Sequence, residues 1–185
     1  GQATQFSRGL WGGLVLLGQA PINKCSNDVR GTAACEKVVE GSSDALMGGN
    51  VPDDSSGSLK YLRVQYAGYE IFPGNELNGI TFGGVGSGTT VEYVQVHNNQ
   101  DDCVEFFGGT VSATNLYFEN NSDDSVDWTE GWNGTITNTY VSHTVAGFST
   151  AVEADGTNNN PKIVNFTAVS TVNGTALQFK KQSGA

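Results

Sequence analysis

The sequence predicts an all-β fold, a right-handed parallel β-helix with an N-terminal loop excursion, and three observations carry that expectation. The segment 91–109 recurs 22 residues later, at 113–131, without a gap. Within each block, short runs alternate apolar and polar residues, the mark of a strand with one buried and one wet face. Glycine is abundant at 25 residues and proline scarce at 4, a composition suited to short strands and turns.

The repeat pairs Val94, Val96, Asn98, Asn99, Asp101, Asp102, Val104 and Glu105 with Leu116, Phe118, Asn120, Asn121, Asp123, Asp124, Val126 and Asp127. Further coils are expected at Thr139-Tyr140-Val141 with Ala151-Val152-Glu153, and at Thr167-Ala168-Val169 with Ala176-Leu177-Gln178-Phe179. An earlier one joins Tyr61-Leu62-Arg63-Val64 to Gly79-Ile80-Thr81-Phe82. The period is too short for a propeller blade or a paired-helix repeat, and the asparagine-containing leucine-rich signature is missing. A Greek-key or jelly-roll sandwich is the competing fold, but sandwiches do not usually repeat their polar residues in register. The chain is thus expected to form a single β-helix domain over 1–185, with 19–57 as an inserted loop region. The one helix-like run, Ala33 to Glu40, is short. In a β-helix, Asn98-Asn99 over Asn120-Asn121 would form an amide stack along the axis.

Nineteen acidic residues stand against nine basic ones. That balance repels phosphate backbones and anionic lipid, so nucleic acid and membrane surfaces are poor partners. Cations and polysaccharides or cell-surface glycans fit better. The apolar run Leu10 to Gly18 is too short to span a bilayer. Cys25 and Cys35 share a loop-like stretch, where a local disulfide is expected in an oxidising compartment, with unrelated thiols as the alternative. Cys103 is then a buried free thiol. A zinc site is not expected, because there is no CxxC pair and His97 and His143 lack ligand spacing.

The segments Trp11–Asn23 (WGGLVLLGQAPIN), Pro52–Ile71, Asn75–Asn99 (with NGITFGGVGSGT) and Asp101–Val111 (DDCVEFFGGTV) resemble a family of secreted, largely uncharacterised bacterial β-helix proteins of marine bacteria and Bacteroidetes. The resemblance covers nearly the whole chain. It implies export, to the medium or the outer cell surface, and a longer solenoid of which this chain is a fragment.

Stacking makes the repeated acids the candidate site. Equivalent residues of adjacent coils lie about 4.8 Å apart. Asp101, Asp102, Asp123 and Asp124 therefore meet, and Glu105 meets Asp127, with Glu153 beyond. Like carboxylates at that spacing repel and raise one another's pKa. Three readings remain open. Turn capping by Asp and Asn explains the recurrence by itself. A hard cation, Ca2+, could take Asp101, Asp102, Asp123, Asp124, Glu105 and Asp127 as ligands. A shared proton could make an acid/base pair for a polysaccharide hydrolase or lyase. The DDC run resembles the corresponding strand motif of polygalacturonase-type β-helices, which implies Asp101 and Asp102 as acid and base of an inverting hydrolysis. That family's Gly-His-Gly and Arg-x-Lys motifs are absent here. For sugar stacking, strand alternation selects Phe107 and Trp132 as surface aromatics, beside Asn99 and Asn121. The expected function is a surface β-helix module that binds carbohydrate, with structural calcium. Alternatives are a polysaccharide hydrolase or lyase, or a structural module of an adhesin or surface filament.

Overall fold

The computed structural model describes residues 2–180; residues 1 and 181–185 of the expected domain lie outside the described residues. Two parallel sheets carry the fold. The first holds β1 (Leu14–Leu17), β7 (Ile80–Gly83), β9 (Val104–Phe107), β11 (Val126–Thr129), β13 (Thr150–Asp155) and β15 (Thr175–Lys180), in that spatial order. The second holds β4 (Ser58–Gln65), β8 (Thr90–His97), β10 (Ala113–Glu119), β12 (Thr135–His143) and β14 (Lys162–Ser170), also in order. Each long strand of the second sheet leads through a turn into a short strand of the first, so the chain winds as a β-helix. The expected register holds. Leu62, Val94, Leu116, Thr139 and Phe166 form one column, and Thr81, Glu105, Asp127, Glu153 and Gln178 another.

Alternation explains the core. Val94, Val96, Leu116 and Phe118 from the second sheet meet Ile80, Phe82, Val104, Phe106, Val126 and Trp128 from the first, all buried. Aromatic rings stack along the axis inside the tube. Phe82 lies 5.0 Å from Phe106, and Phe106 lies 4.3 Å from Trp132.

Three corners give the coil its triangular path, and each is a column of left-handed residues. The long strands bend in mid-course at Tyr61, Tyr93, Asn115, Asn138 and Asn165. They end at Tyr66, Asn98 and Asn120. The short strands end at Gly84, Gly108, Glu130 and Gly156. Asparagine and glycine tolerate positive φ best, which explains their recurrence at these corners. At Gly108 space also decides, because a Cβ would sit 2.7 Å from Ile22 Cγ2.

Two antiparallel hairpins interrupt the winding. β2 (Glu36–Val38) pairs with β3 (Leu46–Gly48), inside segment 19–57. β5 (Glu70–Phe72) pairs with β6 (Asn75–Glu76). The helix-like run Ala33 to Glu40 is thus partly β2, its local propensity overridden by pairing with β3. Cys25 and Cys35 are disulfide-bonded, and Cys103 is free and buried, as their placement suggested.

Two expectations fail here. Trp132 lies inside the solenoid at 0% exposure, its indole N–H donating to the Val111 carbonyl. Phe107 does point outward from its sheet, as alternation requires. The β2–β3 hairpin nevertheless folds over it, and Val39 and Met47 bury it to 5% exposure. Neither ring can stack a sugar from solvent.

Candidate functional site

The acids converge on the outer face of the first sheet and on the turn that enters it. The turn column reads Asn78, Asp102, Asp124, Thr150, and the strand column beside it reads Thr81, Glu105, Asp127, Glu153. Turn capping is present. Asp102 Oδ1 accepts the Asp124 amide at 2.8 Å. Asp124 Oδ1 accepts both the Thr150 amide and its hydroxyl, at 2.8 and 2.6 Å. Each aspartate thus spends one oxygen on the turn of the following coil and has a second to offer.

The same aspartates meet the strand acids. Asp102, Glu105 and Asp127 each place a carboxylate oxygen within 4.8 Å of the others. Asp124, Asp127 and Glu153 do the same, and so do Asp101, Asp102 and Asp123. All six expected acids are therefore brought together, with Glu153 added. Asp127 belongs to two groups. Its Oδ1 is buried without a hydrogen-bond partner, as are Glu153 Oε1 and the neighbouring Asn78 Oδ1. Asn78 Nδ2 meanwhile donates to Glu105 Oε2 at 2.8 Å.

Burial pushes these carboxyls up, and the neighbouring acids push further. Asp127 rises to about 8, from desolvation first and then Glu153 and Asp124. Asp101 rises to about 7, from desolvation and then Asp123, Glu76 and Glu40. Asp102 and Glu105 stand well above the usual carboxylate range for the same reasons. At Glu153, desolvation raises the carboxyl while the bonded Lys180 ammonium opposes it.

The other expected residues take different places. Asn99 and Asn121 are buried turn residues, each donating its amide to a carbonyl of its own turn, Asp102 and Asp123. They cannot contact a surface ligand. Nor do Asn98 and Asn120 form the amide stack along the axis. That stack exists one corner away, where Asn138 donates to Asn115 at 3.1 Å and Asn165 donates to Asn138 at 2.9 Å. His143 is packed flat on Phe148, and its Nε2 lies 2.9 Å from the Ser125 hydroxyl, which itself donates to Asn121 Oδ1. It is fully buried and takes no part in the acidic face.

Sequence reasoning missed the rim. Glu40 and Glu76 act electrostatically on Asp101, and Glu40 on Glu105. Both come from the two hairpin excursions. The β5–β6 hairpin that carries Glu76 also exposes Tyr69, Ile71 and Phe72. The signal was present as aromatic residues flanking Pro73-Gly74 in YEIFPGNE. Unlike Phe107 and Trp132, Tyr69 and Phe72 are open to solvent.

Over residues 1–184 the sequence matches the family described as a pectate-lyase-like β-helix domain. The chain belongs to that family. No curated protein and no solved structure matches it. Membership in the pectate-lyase-like family agrees with the parallel coils and supports a distant likeness to polygalacturonase-type β-helices. The disulfide fits an extracellular setting. Among the described residues, no helix is long and apolar enough to cross a membrane.

Proposed function

We propose that this chain is an extracellular β-helix that engages carbohydrate and whose acidic face holds Ca2+. One observation carries the reading. Asp127 joins two groups of carboxylates and keeps a buried oxygen with no partner. Such an arrangement is costly unless a proton or a cation fills it. The donor set fits calcium, since all the groups are hard oxygens. Ligand oxygens about 2.3–2.6 Å from one ion stand at most about 5 Å apart, which agrees with the 4.8 Å groups. Asp102, Glu105 and Asp127 would hold one ion, with Asp124 and Glu153 extending the site. A bound ion would offer open coordination positions to sugar hydroxyls or carboxylates. Lys180 competes for Glu153, so the Glu105 side of Asp127 is the better seat.

Isothermal titration at pH 7 tests this. Ca2+ is expected to bind the wild type and to release protons into the buffer, because the raised carboxyls are partly protonated there. Asp127→Asn should bind more weakly and release fewer. Absence of both heat and proton release in the wild type would remove the reading.

A hydrolase or lyase is the second reading, favoured by one feature. Asp101 and Asp127 hold protons near neutrality, which is what a general acid requires. Release of reducing ends from polygalacturonate or a neutral glycan, abolished in Asp102→Asn, would select it.

A further inference from the structure

A second face of the coil carries a different chemistry. We infer that the mid-strand corner of the second sheet, with the row beside it, is a binding site for a neutral linear polysaccharide running along the solenoid axis. The inference is independent of the acidic face.

Two adjacent outward rows define the site. At the corner stand Tyr61 and Tyr93, followed in the next coils by Asn115 and Asn138. Two residues further along each strand stand Arg63 and Gln95, followed by Tyr117 and Tyr140. Each of four successive coils therefore shows one tyrosine and one planar polar side chain, and the two kinds exchange rows half-way. The unit repeats at the strand spacing of about 4.8 Å. A linear polymer laid along the axis meets the same pair of groups at every coil.

Three of the four tyrosines are exposed, Tyr61 to 79%, Tyr93 to 48% and Tyr140 to 44%, and Tyr117 is half-buried. Tyr61 and Tyr93 stack at 4.9 Å and 7°, and Tyr117 and Tyr140 pair at 5.7 Å. Backbone strain gives independent support. Tyr61 and Tyr93 sit at φ 54° and 55°, in the left-handed region that a bulky aromatic residue rarely adopts. The next three coils place asparagine at the same corner. Asparagine suits the backbone better, so tyrosine stands there against local preference. Strain of this kind clusters at functional positions.

Three of the four polar partners suit a neutral ligand, and Arg63 is the one cation among them. Gln95 offers donor and acceptor, and Asn115 and Asn138 keep a second amide hydrogen and a second lone pair beyond the bonds of their own ladder, which matches a hydroxyl that is both. Lys60 and Glu92 in the neighbouring row neutralise one another at 3.2 Å. The chain carries a net charge of −10, which opposes a polyanion. Tyr61 and Tyr93 each close one ring face against the other, so a sugar would meet their remaining faces, edges and hydroxyls, with the amides beside them.

Affinity electrophoresis in chelator tests the site, with gels containing galactomannan, mixed-linkage β-glucan or, for comparison, polygalacturonate. The variants take the residues that the fold itself uses in those rows: Tyr61→Asn with Tyr93→Asn, and separately Tyr117→Thr. Wild type should be retarded by at least one neutral polymer. Either variant should bind about tenfold more weakly, while its melting temperature stays level or rises. Retardation equal in wild type and variants, retardation by polygalacturonate alone, or none by either neutral polymer would overturn the inference. Failure of the calcium reading would appear in calcium titrations of the wild type and leave these gels unchanged.

Discussion

Two ladders run along this solenoid, and they solve the same stacking problem in opposite ways. Asn115, Asn138 and Asn165 bond one to the next, because an amide carries both a donor and an acceptor. The stack satisfies itself. Glu105, Asp127 and Glu153 occupy an equivalent column, yet an ionised carboxylate only accepts. Their stack repels itself and leaves Asp127 Oδ1 and Glu153 Oε1 without partners. The difference teaches that repetition alone does not stabilise a β-helix face. The chemistry of the repeated group decides whether the ladder is closed or needs a third party.

The largest expected break in this comparison is with pH. Asp127 and its neighbours have folded pKa values raised above their unfolded ones, so the folded state keeps protons that the unfolded chain has lost. Stability from this source is present at the acid end and is lost as pH rises from about 4 through about 8. His143 has the opposite sign. Burial lowers it to about 4, so its contribution is present above its unfolded pKa and is lost as pH falls. In chelator, urea unfolding should show a stability maximum near pH 4–5, where several raised carboxyls outweigh the one histidine, and a fall on the order of 3–5 kcal/mol between pH 6 and pH 9. A flat profile above pH 6 would mean that the ladder is not strained.

Calcium should reverse part of that fall. At one hundred times its dissociation constant, an ion that binds only the folded state adds about 2.7 kcal/mol, or roughly 5–10 °C in a chain of this size. Melting curves at pH 8 with and without chelator read this directly, and Asp127→Asn should shrink the gap. The neutral ladder should ignore calcium. Its own break is Asn138→Ala, which removes two amide bonds and puts alanine at a positive φ. Chemical denaturation should show a loss of about 1–2 kcal/mol, and Asn138→Gly about half of that. The smallest effect is expected for Asp102→Asn. An asparagine oxygen can still accept the Asp124 amide while one charge is removed, so stability in chelator should change by no more than about 1 kcal/mol, upward at high pH. A large loss would show that the carboxylate itself is needed for the turn.

Most of the fold was legible because the repeat is physical. Val94 over Leu116 and Glu105 over Asp127 are register statements before they are structural ones. The acidic groups came from the same stacking. Phe107 and Trp132 were misread for two different reasons. Phe107 points outward as alternation requires, but its cover comes from β2–β3, which has no repeat to announce it. Trp132 lies beyond the end of its strand, where alternation no longer applies, and fills the tube beside Phe106. In the sequence the conspicuous asparagine pair is Asn98-Asn99, but the amide ladder is not there. It lies at Asn115, Asn138 and Asn165, whose spacings of 23 and 27 residues hide the column behind loops of unequal length.

At the corner that leads into the first sheet, the side-chain bonds to turn amides point one way along the chain. Asp102 holds the amide of Asp124, Asp124 holds Thr150, and Asn120 Oδ1 holds the amides of Thr144 and Val145. In each case the acceptor belongs to the earlier coil and the turn it fixes to the later one. A finished coil therefore carries the template for the next turn at this corner. Order in these turns propagates from the N-terminal side, the direction in which a chain leaves the ribosome. Damage should spread with the same polarity: losing Asp102 loosens the turns C-terminal to it, while losing the Thr150 hydroxyl leaves the earlier turns as they were.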